Sequence, residues 1–101
     1  MEKVEVIPTK TKKSDHYRQW LYLRGHYDGV LVDTQWVDEI NQYETMVFKI
    51  TRSDMEDRYP FLGDDLGMAR YDTWEEAEKG HNEVVEMWKD ILKIKGVPHN
   101  E

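Results

Sequence analysis

The chain contains no cysteine, which removes both a disulfide framework and a thiolate metal site and is compatible with a reducing compartment. No apolar run comes near the roughly 18 to 20 residues of a membrane span. The N-terminus, Met1 to Glu5, lacks the basic-then-apolar order of a signal peptide. The phosphate-cradling patterns G-x-x-x-x-G-K-[ST] and G-x-G-x-x-G are missing, as is the zinc pattern H-E-x-x-H. Ser14 and Ser53 are the only serines, and neither sits in a nucleophile elbow. His16, His26, His81 and His99 form no i, i+4 pair, which argues against a helical zinc site within one chain. These absences set the expectation of a soluble protein of the cytoplasm, with no catalytic residue, no cofactor and no metal.

What is present suffices for one small core. The 101 residues are 39% apolar and 35% charged, and 12% are aromatic, including four Trp and six Tyr; that is the composition of a folded chain rather than a disordered one. Charge is unevenly placed. Residues 1 to 26 hold six Lys/Arg against three Asp/Glu, a net of +3; residues 27 to 101 hold eight against eighteen, a net of −10, and together they give the −7 of the whole chain. An acidic body repels nucleic-acid phosphates and anionic lipid and steers basic proteins toward itself. A field of this sign also serves solubility alone.

Punctuation divides the chain into an extended basic arm, residues 1 to 15, and a single α+β domain, residues 16 to 101. The arm carries Pro8, Lys10, Lys12 and Lys13, and its "VEVI" is able to add a short strand. The runs "YRQWLYLRGHY" and "GVLVDTQWV" are rich in aromatic and β-branched residues and are separated by Asp28-Gly29, a dipeptide favoured in tight hairpin turns. They predict a β-hairpin. A competing reading makes Asp15 to Arg24 a short helix capped by Ser14 and stopped at Gly25, and the aromatic content favours the strand.

Residues 43 to 50, "YETMVFKI", alternate between a face bearing Glu44, Met46, Phe48 and Ile50 and a face bearing Tyr43, Thr45, Val47 and Lys49, the signature of a strand. Residues 52 to 67 are rich in Asp, Gly and Pro and read as an irregular excursion that returns through a short strand at "MARY". Asp54, Glu56, Asp57, Asp64 and Asp65 in that excursion are the candidate interaction residues. Their spacing does not match the D-x-D-x-D-G register of an EF-hand, so a solvated loop is a better reading than a calcium or magnesium site.

The last element is a helix over Trp74 to Lys95. Thr73 and Glu76 form a capping box, Glu75, Glu76 and Glu78 lie near the positive end of the dipole, and Lys93 and Lys95 lie near the negative end before Gly96 and Pro98. Trp74, Ala77, His81, Val84, Val85, Trp88, Ile91 and Leu92 recur at three-and-four spacing and mark the buried stripe. Gly80 costs about 1 kcal/mol against alanine in a helix interior. That cost implies that a strand or ring approaches the helix at Gly80 too closely for a Cβ, with the approach of a ligand as the alternative. A buried His81 needs a partner, and Glu44, if its face meets the helix, is the expected one, with a Tyr hydroxyl or a backbone carbonyl as the alternative. The expected fold is therefore a small antiparallel sheet of three or four strands packed under one long C-terminal helix.

The segments "YDGVLVDTQW", "YETMVF" and "ARYDTWEEAEKGH" resemble a family of short proteins encoded by tailed bacteriophages and prophages. The common core of that family is an E-T-M-V-F strand, an acidic spacer and R-Y-x-T-x-E-E-A-x-x-G-H opening the last helix. Glu44 to Phe48 match the first part, and Arg70, Tyr71, Thr73, Glu75, Glu76, Ala77, Gly80 and His81 match the last. The likeness spans roughly residues 27 to 88 and leaves out the arm and the aromatic segment 17 to 24. It implies a viral origin, an α+β fold and a place in the cytoplasm of an infected or lysogenic bacterial host, and it brings no catalytic role.

Small size, acidic charge and missing enzyme motifs together favour a protein-binding module, for example an inhibitor of a host or anti-phage defence protein, facing a basic surface of a host or phage protein. The alternative is a virion or assembly accessory protein without catalytic activity. A small enzyme or nucleotide-binding protein using His81 with a carboxylate is disfavoured because His81 falls on the core stripe. Exposed edges and the many aromatics also allow a homodimer.

Overall fold

Val30, Val32 and Thr34 alternate with Leu31, Asp33 and Gln35, so this one stretch offers two different faces to its neighbours. The computed structural model, which describes residues 4–8, 16–23, 25–26, 28–51 and 65–95, shows how the faces are used. β1 (Val4–Pro8), β2 (His16–Leu23), β3 (Asp28–Val37), β4 (Gln42–Thr51) and β5 (Asp65–Tyr71) precede α1 (Trp74–Lys95). Each strand pairs antiparallel with the next, in the order β1-β2-β3-β4-β5. β2 to β5 form the sheet that the alternation predicts. β1, drawn from the "VEVI" segment, extends it alongside β2. His16–Leu23 is strand rather than helix, as its aromatic content favoured.

The Asp28-Gly29 dipeptide does not make the β2–β3 turn. Asp28 and Gly29 are the first residues of β3, with Gly29 opposite Tyr22. The chain reverses earlier: the His26 N–H donates to the Leu23 carbonyl at 2.9 Å, and Gly25 takes a φ of 82° at the third position of that turn, where a positive φ is required. Gly29 answers a different need. A Cβ there would overlap the Leu21 carbonyl oxygen and the Tyr22 ring.

The helix lies on the face formed by Leu21 and Leu23 of β2, Val30 and Val32 of β3 and Val47 of β4, against which Val85, Trp88 and Leu92 are buried, with Val4 and Val6 packed at the margin. The opposite face carries a second cluster of Trp20, Tyr22, Leu31 and Ile50 with Phe48 beside it. This explains why Trp20 to Leu23 and Val30 to Asp33 are buried without interruption. A strand covered on both faces reads as a continuous apolar run, not as an alternation. On that second face Asp33, 3% exposed, accepts hydrogen bonds from His16 Nε2 at 2.9 Å and from Arg18 Nε at 3.4 Å.

The capping box forms with one variation: the Glu76 N–H donates to Thr73 Oγ1 at 3.2 Å, while the Thr73 hydroxyl donates to Glu76 Oε1 at 3.1 Å. Glu76 thus grips the cap's side chain. The buried stripe contains Ala77, Gly80, His81, Val85, Trp88 and Leu92. Trp74, Val84 and Ile91 lie at its edge, half-buried. Among the described residues no helix is long and apolar enough to cross a membrane.

Candidate functional site

Two arrangements meet beneath α1. The first is a buried polar chain. His81, fully buried, has Nε2 at 2.9 Å from Gln19 Oε1 of β2 and Nδ1 at 2.7 Å from Thr34 Oγ1 of β3. Because an amide oxygen only accepts, Nε2 carries the proton; in the neutral ring Nδ1 then accepts from the Thr34 hydroxyl. Thr34 in turn accepts from the Thr45 hydroxyl of β4 at 2.6 Å. The Tyr17 ring stacks on the imidazole, centroids 4.0 Å apart and 19° from parallel. The helix is thereby keyed to three strands, and among the described residues no buried side-chain nitrogen or oxygen is left without a partner. Both ring nitrogens of His81 are committed inside the fold, which suits a structural histidine rather than a proton shuttle.

Glu44 is not the partner of His81. In the β3–β4 register Thr34 pairs with Thr45 and Gln35 with Glu44, so Thr45 shares the helix face and Glu44 points to the other side of the sheet. There it accepts from Arg70 Nε at 3.2 Å. The face of "YETMVFKI" bearing Met46, Phe48 and Ile50 is the more apolar, yet the helix packs on the other, where Val47 joins the core. Gly80 does what was expected of it: the Tyr71 ring and hydroxyl occupy the space that a Cβ at residue 80 would fill. Burial, and secondarily the negative charge of Glu83, raises the Tyr71 pKa above its ordinary value of 10.0.

The second arrangement is a cleft. The helix-facing positions of β5 are Gly67, Ala69 and Tyr71, opposite Val47, Thr45 and Tyr43. Side-chain size therefore falls with distance from the start of the helix. Tyr71 fills the gap at Gly80, whereas a Cβ at Gly67 would meet nothing within 4 Å. The result is a cavity of about 360 Å³ between β5 and α1. Its helix wall is Val84, Met87, Trp88 and Ile91; Thr45 and Val47 form its floor, and Gly67, Met68 and Ala69 its strand side. Its one polar floor group, the Thr45 hydroxyl, is the end of the His81 chain.

The lip of the cleft is apolar and acidic together. Met87, at the lip, is 51% exposed, and Ile94, on the same helix face beyond it, is 80% exposed; Met68 pairs with Met46 and turns its side chain to the far face of the sheet. Glu83, Met87, Asp90 and Ile94 are spaced by four, three and four residues and so share one helix face, with both carboxylates in solvent. A flexible methionine such as Met87 at an open groove is a frequent means of meeting a partner.

Of the loop residues singled out by charge, Asp54, Glu56, Asp57 and Asp64 lie outside the described residues, and Asp65 begins β5. Among the described residues no group of three or more His, Asp or Glu side chains is placed to hold a metal ion. Gln19, Thr34, Thr45 and Ala69 carry no sequence signal of a site. Gly67 falls at the end of the segment whose composition predicts an irregular excursion, whereas the structure places it inside β5.

Fold and site together define an α+β scaffold in which one helix spans an antiparallel meander and stands away from its last strand. No protein-family model matches the chain, and neither does any curated protein or solved structure.

Proposed function

We propose that the chain is a small non-catalytic protein-binding module of tailed-phage type that engages a basic partner at the cleft between β5 and α1. The observation that carries this reading is the apolar cleft itself, with half-exposed Met87 at its lip, Ile94 exposed on the same helix face and Glu83 and Asp90 beside it. Large side chains left in solvent cost solubility, and their clustering around a cavity suits a binding surface. The net charge of −10 over residues 27 to 101 supports a basic partner and disfavours nucleic acid. The module acts by occupancy: in an infected or lysogenic cell it covers a surface of a host or defence protein.

The test is recovery of a partner from bacterial host lysate with the wild-type chain, with Met87→Asp and with a Glu83→Lys, Asp90→Lys double variant, with circular dichroism establishing that each is folded. A basic partner recovered by the wild type and lost by both variants supports the reading. A partner retained equally by all three moves the interface away from the cleft.

A further inference from the structure

We infer that the occupant of the cleft is an extended segment of the partner, added as a further strand alongside β5, with an apolar residue directed into the cleft and a Lys or Arg two residues to either side. This rests on the binding-module reading above and specifies its geometry.

Three observations lead here. β5 closes the sheet order among the described residues, so its side away from β4 faces no other described strand. The β4–β5 register slips between Val47 and Phe48, which puts the irregularity near Gly67 and leaves Met68 to Tyr71 as a regular paired stretch. A bulge bends a strand locally, and the regular stretch beyond it is where pairing to a new strand is geometrically simple. The helix wall is open to solvent on this side: Met87 lines the cleft yet is half exposed, and the helix-facing positions of β5 beneath it are only Gly67 and Ala69.

A strand placed about 4.8 Å from β5 would set alternate side chains under that wall. One apolar residue there meets Met87 and Ile91. The residues two before and two after it lie about 6.8 Å away along the strand. Glu83 and Asp90 lie about 6 and 4.5 Å from Met87 along the helix axis. Long basic side chains bridge such differences. A second copy of this chain is the poorer occupant, since it would bring Glu83 and Asp90 against the same acidic face. The backbone supplies affinity and the alternation supplies specificity, as in other strand-addition interfaces.

The probe is a blocked heptapeptide, Thr-Lys-Thr-Val-Thr-Lys-Thr, titrated into the full chain and followed by amide and methionine-methyl NMR. Two further peptides carry N-methyl groups along one backbone edge or along the other. The expected result is shifts at the amides of Met68 to Tyr71 and at the Met87 methyl, with binding weakened about tenfold or more by methylation of one edge and little changed by the other. Ala69→Leu, which narrows the cleft without opening the core, should weaken the unmethylated peptide by a similar factor. Equal binding of both methylated peptides, shifts confined to other surfaces, or no binding overturns strand addition. So does concentration-dependent dimerisation that Met87→Lys abolishes, which would assign the cleft to a second copy. Failure here, with a partner still lost by the Met87→Asp and charge-reversed variants, leaves the binding module standing and removes only its strand geometry.

Discussion

Tyr71 lays its phenol in the space that a side chain at Gly80 would occupy, fixing the end of β5 against the second turn of α1. Gly80→Ala should therefore destabilise the fold by about 1 to 3 kcal/mol by overpacking, although alanine is the better helix former by about 1 kcal/mol. Tyr71→Ala in the same chain removes the clash, so the double variant should be more stable than the two single changes imply. Urea titration of the four proteins measures this coupling; additive effects would mean that the contact does not constrain residue 80.

The same phenol gives a pH dependence. Its folded pKa is raised, so the folded state holds the proton more tightly than the unfolded chain. The associated stability is fully present below about pH 10, the ordinary tyrosine value, and is lost as pH rises through the folded pKa. Ultraviolet titration should show a phenol ionising above the ordinary value in the wild type that is missing from Tyr71→Phe. Glu83→Gln should lower its midpoint by removing the smaller, charge-based cause.

The direction of the Thr45, Thr34, His81 chain predicts an order of costs. Thr34→Val strands both Nδ1 of His81 and the Thr45 hydroxyl, and should cost about 1 to 3 kcal/mol. Thr45→Val removes only the terminal donor and should cost about 0.5 to 1.5 kcal/mol. His81→Ala should cost at least as much as Thr34→Val, because it also leaves Gln19 without its ring partner and opens space beside Tyr17. A lower denaturant midpoint for Thr45→Val than for Thr34→Val would overturn the assigned direction.

Gly67→Ala places a methyl in open space, at a position without the positive φ that would strain it. It should be neutral or stabilise the chain by up to about 1 kcal/mol through the unfolded state, while weakening whatever occupies the cleft. A thermal melt and a binding isotherm on the same variant check the two halves. Loss of stability would show that the backbone at residue 67 cannot carry a side chain.

If the acidic surface steers a basic partner, association should slow as salt rises, while dissociation changes less. Reversing Glu83 and Asp90 should reproduce the slowing at low salt. Charge reversal at Asp54, Asp57, Asp64 and Asp65 tests the loop separately, and an unchanged association rate would exclude it from the encounter. Duplex DNA should bind weakly at physiological salt; tight binding would overturn the charge argument.

The helix was legible from sequence because its determinants are local: a cap at Thr73, acids in the first turn, lysines in the last and apolar residues at three-and-four spacing act within the helix itself. Gly80, costly in a helix, likewise signalled a close neighbour before Tyr71 identified it. The strand over residues 43 to 50 was legible for the same reason, because alternation is a property of one chain segment. Which of its faces meets the helix is not, since the set Glu44, Met46, Phe48 and Ile50 is the more apolar, yet the helix packs on the face of Tyr43, Thr45, Val47 and Lys49. That choice, and with it the partnership of His81 with Thr34 and Gln19 rather than Glu44, depends on strand register and on where α1 crosses the sheet. Asp28-Gly29 was read as a turn because local preference cannot distinguish a glycine needed for chain reversal from one needed to admit the Tyr22 ring. The cleft was the least legible feature of all. It arises where small residues on β5 face large ones on α1, so it belongs to the space between two elements and to neither sequence alone.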